Sequence, residues 1–186
     1  VEVLGDAPDF HFVPVGNAGN YTAYHRGYTE ELAISATTRM PRMFGFQAAG
    51  SAPMVLGHVV KDPDTIASAI RIGNPASWEL ALKAQADSDG YFGSITDDKI
   101  LEAHRILSAE VGIFVEPASA ISVAGLLERA EAGEIPKGST VVLTVTGHGL
   151  KDPQWALRTA DGSEVQPTIV SVDTDEVAGV LGLVRA

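Results

Sequence analysis

Between Phe10 and Asn20 the chain reads Phe-His-Phe-Val-Pro-Val-Gly-Asn-Ala-Gly-Asn, an apolar stretch that passes into a turn with glycines at 16 and 19. Residues without a Cβ let the backbone bend tightly and approach a ligand closely. A helix starting near Asn20 leaves its first amides unpaired and aimed at one spot, with the positive end of the helix dipole behind them. Those are the requirements of an anion cradle, most often for phosphate. The spacing is neither the dinucleotide fingerprint nor the P-loop, since no Gly-Lys-Ser/Thr follows. An ordinary strand-to-helix turn is the competing reading.

A second glycine turn, Thr146-Gly-His-Gly149, follows the β-branched run Thr140 to Val145. That run has the pattern of a strand buried on both faces of a parallel sheet. Ligands of such sheets sit at the carboxyl ends of the strands. The turns at 16–20 and 146–149 are therefore expected to face one another across a single site.

The elements that must position these turns alternate between strand and helix. Val1 to Gly5 reads as a helix end stopped by Gly5, and residues 10–16 as the first strand. A helix is expected from Asn20 to Ala33, a strand from Pro41 to Ala48, and a short helix through Ile66, Ala69 and Ile70. Asn74-Pro75 reads as a cap followed by a first-turn proline, starting a helix to Asp87. Gly90 to Ile95 is a strand, and Thr96 caps an amphipathic helix with Ile100, Leu101, His104, Leu107 and Val111 on one face. A brief strand at Ile113–Val115 precedes a helix from Pro117 to about Gly133, and a last helix is expected from Asp173 to Leu181 after a tight turn at Asp161-Gly162. The class is α/β, three-layered, with a mainly parallel sheet.

Composition narrows the function classes. In 186 residues there are 13 basic and 24 acidic side chains, a formal charge of -11, so nucleic acid and anionic membranes are not expected partners. No apolar run reaches the roughly 18 residues of a membrane span. The chain has no cysteine, which rules out thiolate chemistry within it and suits a cytoplasmic setting. The five histidines show no ligand spacing, so no metal site is expected. With no basic cluster to help, a phosphate would have to be held by amides and dipoles.

Four ordered segments together resemble a known family: Val15-Gly-Asn-Ala-Gly-Asn20, Ala69-Ile-Arg-Ile-Gly-Asn-Pro-Ala-Ser-Trp78, Phe114-Val-Glu-Pro-Ala-Ser-Ala120 and Val145-Thr-Gly-His-Gly-Leu-Lys-Asp152. They resemble the bacterial threonine synthases, fold-type II enzymes that use pyridoxal 5'-phosphate. The resemblance covers nearly the whole chain and fades after about residue 158. It implies a tryptophan synthase β-like fold, with residues 1–158 part of the cofactor-binding domain and 159–186 a tail whose helix packs on it. It implies that Gly16, Asn17, Ala18, Gly19 and Asn20 wrap the cofactor phosphate and that Thr146 hydrogen-bonds the pyridine nitrogen. A neutral hydroxyl there leaves that nitrogen largely unprotonated.

The family's cofactor-bearing lysine lies in a Ser-x-Lys-Asp-Arg motif upstream of the phosphate loop, and these 186 residues contain no such motif. The segment with the substrate-phosphate arginine is absent too. No motif nominates Lys61, Lys83, Lys99, Lys137 or Lys151. The expectation is a C-terminal portion, inactive alone, partnered by the rest of the same enzyme and by a second copy in a homodimer. The implied reaction converts O-phospho-L-homoserine and water to L-threonine and phosphate, by proton removal from Cα and Cβ, loss of phosphate from Cγ and addition of water at Cβ. Another fold-type II enzyme such as a threonine dehydratase, and a non-catalytic module, stay open.

The remaining polar residues of these motifs have plainer readings. Glu116 is expected as a helix N-terminal acid, Arg71 in a surface ion pair, and His148 facing solvent. Lys151-Asp152 should tie down the chain after the strand. Arg39 and Arg42 read as solvated strand ends, and Trp78 as a packing anchor.

Overall fold

In the computed structural model the described residues are 1–158 and 162–183, and the chain divides into two units, Val1–Asp152 and Pro153–Ala186. In the first unit the elements run β1 (Phe10–Pro14), α1 (Gly19–Ala33), β2 (Arg42–Ala48), α2 (Pro53–Leu56), α3 (Trp78–Asp87), β3 (Tyr91–Ile95), α4 (Asp97–Ile106), α5 (Pro117–Glu131) and β4 (Val141–Leu143). The strands form one sheet in the order β3-β2-β1-β4, and every pairing is parallel.

Side-chain alternation along the strands separates two apolar clusters. Phe10 and Phe12 of β1 and Phe44 and Phe46 of β2 join Ile100, Leu107 and Ile121 on one face. Val13 and Val15, with Met43 of β2, pack on the other face with Tyr21, Ala81 and Ala84. Helices α1 and α3 thus cover one side and α4 and α5 the other, giving three layers. Trp78 packs against the second cluster as an anchor.

The chain leaves β1 towards β2 and β3 on one side, then returns over the opposite face to place β4 on the far side of β1. That reversal creates a crevice at the carboxyl ends of β1 and β4, the switch point at which open α/β sheets bind ligands.

Several elements differ from the sequence reading. The run Thr140–Val145 shortens to Val141–Leu143, a half-buried strand at the sheet edge rather than one enclosed on both faces. Pro41 has no N–H to give the ladder, and β2 starts at Arg42. Ile113–Val115 forms no strand; Val115 makes a single antiparallel bridge to His148. α4 runs on into a wider π turn at Leu107–Val111. That extra winding carries Val111 off the apolar face, and it is 56% exposed.

Arg39 and Arg42 are partnered rather than merely solvated. Arg39 donates to Ala7 O at 2.8 and 3.1 Å, and Arg42 lies 2.9 Å from the Asp89 carboxylate with its guanidinium over Phe10 and Phe44.

Close packing of α5 on the sheet depends on Gly125. A Cβ there would lie 2.6 Å from two ring atoms of Phe46, itself fully buried. Gly125→Ala is expected to destabilise by about 2 kcal/mol, overpacking outweighing the ~1 kcal/mol that alanine gains over glycine in a helix. An unshifted denaturant midpoint would show that Phe46 can yield.

The second unit holds α6 (Pro153–Ala156), a bridge between Arg158 and Glu164, and α7 (Thr174–Val180). Asp173 caps α7, its carboxylate accepting the amides of Asp175 and Glu176 at 3.0 Å. The expected turn at Asp161-Gly162 includes Asp161, which lies outside the described residues.

Candidate functional site

The turn after β1 is built to leave amides free. Its left-handed residue is Ala18, at φ 61°, not either glycine. Such a conformation costs an alanine about 1 kcal/mol and must be held by its surroundings. Asn17 supplies part of the hold: its carbonyl accepts Ser77 N at 3.0 Å and its side-chain oxygen accepts Ala76 N at 3.3 Å. Asn20 supplies the rest, donating Nδ2 to Pro14 O at 2.8 Å and accepting Tyr21 N at 2.8 Å. The amides of Gly16, Asn17, Ala18, Gly19 and Asn20 donate to no acceptor among the described residues. Gly16 is needed for close approach, since a Cβ would meet Ala69 O and Ile70 Cα at 3.2 Å.

Asn74-Pro75 starts no helix of its own. α3 begins at Trp78, and the amides of Ala76 and Ser77 go to Asn17 instead. The second motif segment thus braces the first.

After β4 the chain enters the second turn. Ser119 Oγ accepts Thr146 N, Ser122 donates to Thr144 O at 2.9 Å, and Glu116 N donates to Gly147 O at 3.0 Å. The start of α5 therefore fixes the turn from below. Both turns line one cavity of about 450 Å³, bordered by Gly16–Asn20 of the first turn, Thr146 and Gly147 of the second, and by Ala69, Ile70, Glu116 and Lys151. All six residues singled out as cofactor contacts border it.

Glu116 differs from its sequence reading. It holds the position before α5, but its carboxylate accepts no helix amide and lies buried at 2% exposure against Gly147, in a residue that borders the cavity. Lys151 Nζ lies 3.3 Å from Oε1 and 3.2 Å from Oε2, close enough for an ion pair. The approach to Oε2 is not aligned as a hydrogen bond, so that buried oxygen has a counter-charge but no donor. Among the described residues lining the cavity, Lys151 is the one cation. Lys151 therefore belongs to the site, whereas Asp152 does tie the chain down, accepting Ser68 Oγ at 2.6 Å.

Arg71 makes no carboxylate pair among the described residues; it donates Nε to Thr65 O at 2.9 Å and secures its own loop. His148 is exposed, edge-on to Phe114 at 5.4 Å, and does not border the cavity. Behind Phe114, burial pulls the pKa of His104 below its ordinary value. The sequence reading missed Ser119 and Ser122, whose signal was their i, i+3 spacing on from Glu116.

Residues 1–147 match the family model described as pyridoxal-phosphate dependent enzyme. The chain is 54% identical over 184 residues to the threonine synthase of Mycobacterium leprae, covering 99% of this chain and 50% of that protein. It is 50% identical over 182 residues to the threonine synthase of Synechocystis sp., covering 98% and 47%. The chain thus spans about half the length of the curated relatives it matches. Among solved structures, an L-serine ammonia-lyase from Rhizomucor miehei superposes with a TM-score of 0.66 at 18% identity, over 83% of this chain and 51% of that one. A serine racemase from Dictyostelium discoideum does so at 0.56 and 20%, over 76% and 44%. At those identities the likeness is one of fold. Motifs, parallel sheet and family match agree, and the chain belongs to the pyridoxal-phosphate dependent enzymes.

Proposed function

We propose that the intact protein containing this chain carries out the threonine synthase reaction, converting O-phospho-L-homoserine and water to L-threonine and phosphate. The observation that carries this reading is identity of 50–54% to threonine synthases across 98–99% of the chain.

The cavity supports pyridoxal phosphate as the occupant. Five successive amides without a protein acceptor among the described residues, at the start of α1, suit a phosphate dianion. Thr146 borders the same cavity and offers a neutral hydroxyl for the ring nitrogen. Bound there, the cofactor supplies an electron sink for the carbanions formed at Cα and Cβ of the substrate. The residues of this chain hold and orient: the 16–20 amides fix the phosphate, and Thr146 sets the ring's electronic state. Glu116 and Lys151 supply a compensated pair of charges beside it. The lysine that moves protons at the substrate lies, on this reading, in the part of the enzyme outside these residues. A cytoplasmic setting follows from the reaction proposed and suits a chain without cysteine.

Intact protein loaded with cofactor is expected to release phosphate from O-phospho-L-homoserine and no ammonia from L-threonine. Ammonia release from threonine, without phosphate release from phosphohomoserine, would replace this reading by a dehydratase.

A further inference from the structure

The first two turns of α5 meet the strand end through Glu116, Ser119 and Ser122, at helical spacing and all buried. Ser119 is fully buried and its Oγ accepts Thr146 N–H. A buried hydroxyl that accepts one hydrogen bond still has a proton to place. The other polar partner that Ser119 Oγ has among the described residues is Thr146 Oγ1, 3.4 Å away.

Heavy-atom positions allow either hydroxyl to donate to the other, and burial decides between them. Thr146 is exposed and borders the cavity, so its proton has another place to go. The Ser119 proton has none. Ser119 therefore donates to Thr146 Oγ1, and the Thr146 proton turns towards the cavity. An accepting hydroxyl is also the better donor, because successive hydrogen bonds polarise one another. At 3.4 Å the contact is long for a hydroxyl pair; Ser119 steers the Thr146 rotor more than it binds it.

We propose that Ser119 is a positioning residue for the cofactor: it accepts the Thr146 amide, donates to the Thr146 hydroxyl, and so presents Thr146 as a donor to the pyridine nitrogen. This rests on the reading that the cavity takes pyridoxal phosphate with Thr146 at that nitrogen.

The test uses the intact protein, titrated with pyridoxal phosphate after removal of cofactor, and the pH dependence of the bound cofactor's visible absorbance. Ser119→Ala is expected to weaken binding about tenfold, the worth of one hydrogen bond, and to move the absorbance midpoint. In a Thr146→Val background the same change should alter binding by less than about twofold, because no hydroxyl remains to be oriented. Equal weakening in both backgrounds overturns the proposal, since Ser119 would then only hold an amide that both share. An unchanged Kd and spectrum in the Thr146 background overturns it too. Should the alanine protein not fold, Ser119→Cys fills the same space with a weaker donor and is read against both backgrounds in the same way. Unsubstituted protein that takes up no cofactor sinks the underlying reading. Protein that binds cofactor normally but is indifferent to Ser119 sinks this inference alone.

Discussion

Gly147→Ala is expected to weaken cofactor binding about a hundredfold and to lower stability by about 2 kcal/mol. A Cβ at 147 would lie 1.9 Å from Glu116 Oε1, 2.2 Å from its Cδ and 2.8 Å from Oε2. The whole carboxylate would have to leave. Glu116 is nearly fully buried and its amide is tied to Gly147 O, so the backbone cannot retreat from the new methyl group. The cavity is the open direction, and a displaced carboxylate there would meet the space assigned to the cofactor. Displacement also strips Lys151 from its partner and leaves a buried charge uncompensated, which is costlier than losing both charges. Titration of the variant with pyridoxal phosphate checks the first effect and urea unfolding the second. A Kd within threefold of the unsubstituted protein would mean that Glu116 has another place to go, and the cavity described here is then too rigidly drawn.

The same geometry explains the Thr-Gly-x-Gly pattern better than backbone freedom does. Neither Gly147 nor Gly149 has a positive φ. Gly149 is there because a Cβ would sit 2.4 Å from the Phe114 ring, as Gly147 is there for Glu116. In the first turn the glycines were expected both to bend the chain and to allow close approach, yet Ala18 takes the left-handed conformation. Of the two uses expected of the first turn's glycines, close approach is kept at Gly16, while the left-handed bend falls on Ala18. Close approach between segments distant in sequence is a tertiary fact, and spacing within one motif cannot express it.

The alternation of strand and helix made the α/β class legible, because a period of two and a period near 3.6 are local properties. Which strand sits at the edge is not local. Thr140–Val145 has the composition of an enclosed strand, but its neighbours are decided by the path of the chain, and among the described residues β4 pairs with β1 alone. Asn74-Pro75 is a good local helix signal that the chain does not use: α3 starts only at Trp78, after Ala76 and Ser77 have given their amides to Asn17. Glu116 shows the limit most clearly. Its place before Pro117 made a helix-dipole role natural, and only the position of Lys151, 35 residues on, reveals a buried carboxylate paired with a cation at the edge of the site.

Acidification below neutrality is expected to destabilise the fold by about 3 kcal/mol through His11 alone. The ring is 3% exposed on β1, with Nε2 2.7 Å from Thr144 Oγ1 and Nδ1 3.2 Å from the Tyr28 hydroxyl. Tyr24 and Tyr28 pack on it at 4.9 and 5.7 Å between centroids. Two hydroxyls satisfy a neutral imidazole, one as donor and one as acceptor. No carboxylate is among the partners named, and burial moves the pKa from 6.5 down to about 4. Above pH 6.5 both folded and unfolded chains carry a neutral ring, and the full stability is present. As pH falls from 6.5 towards 4 the unfolded chain takes up a proton that the folded chain refuses, so stability drops by up to about 1.4 kcal/mol per pH unit. Below about pH 4 the folded ring is protonated as well and the loss stops growing. Burial lowers His25 and His104 in the same direction, so a residual slope of the same sign remains when His11 is replaced. Urea unfolding at about pH 7.5 and about pH 4.5 should show most of the difference vanish in His11→Gln. An unchanged difference would mean that His11 accepts its proton inside the fold. Because the Nε2 contact reaches Thr144, two residues before Thr146, that outcome would also predict a β4 end able to shift with pH while the protein stays folded.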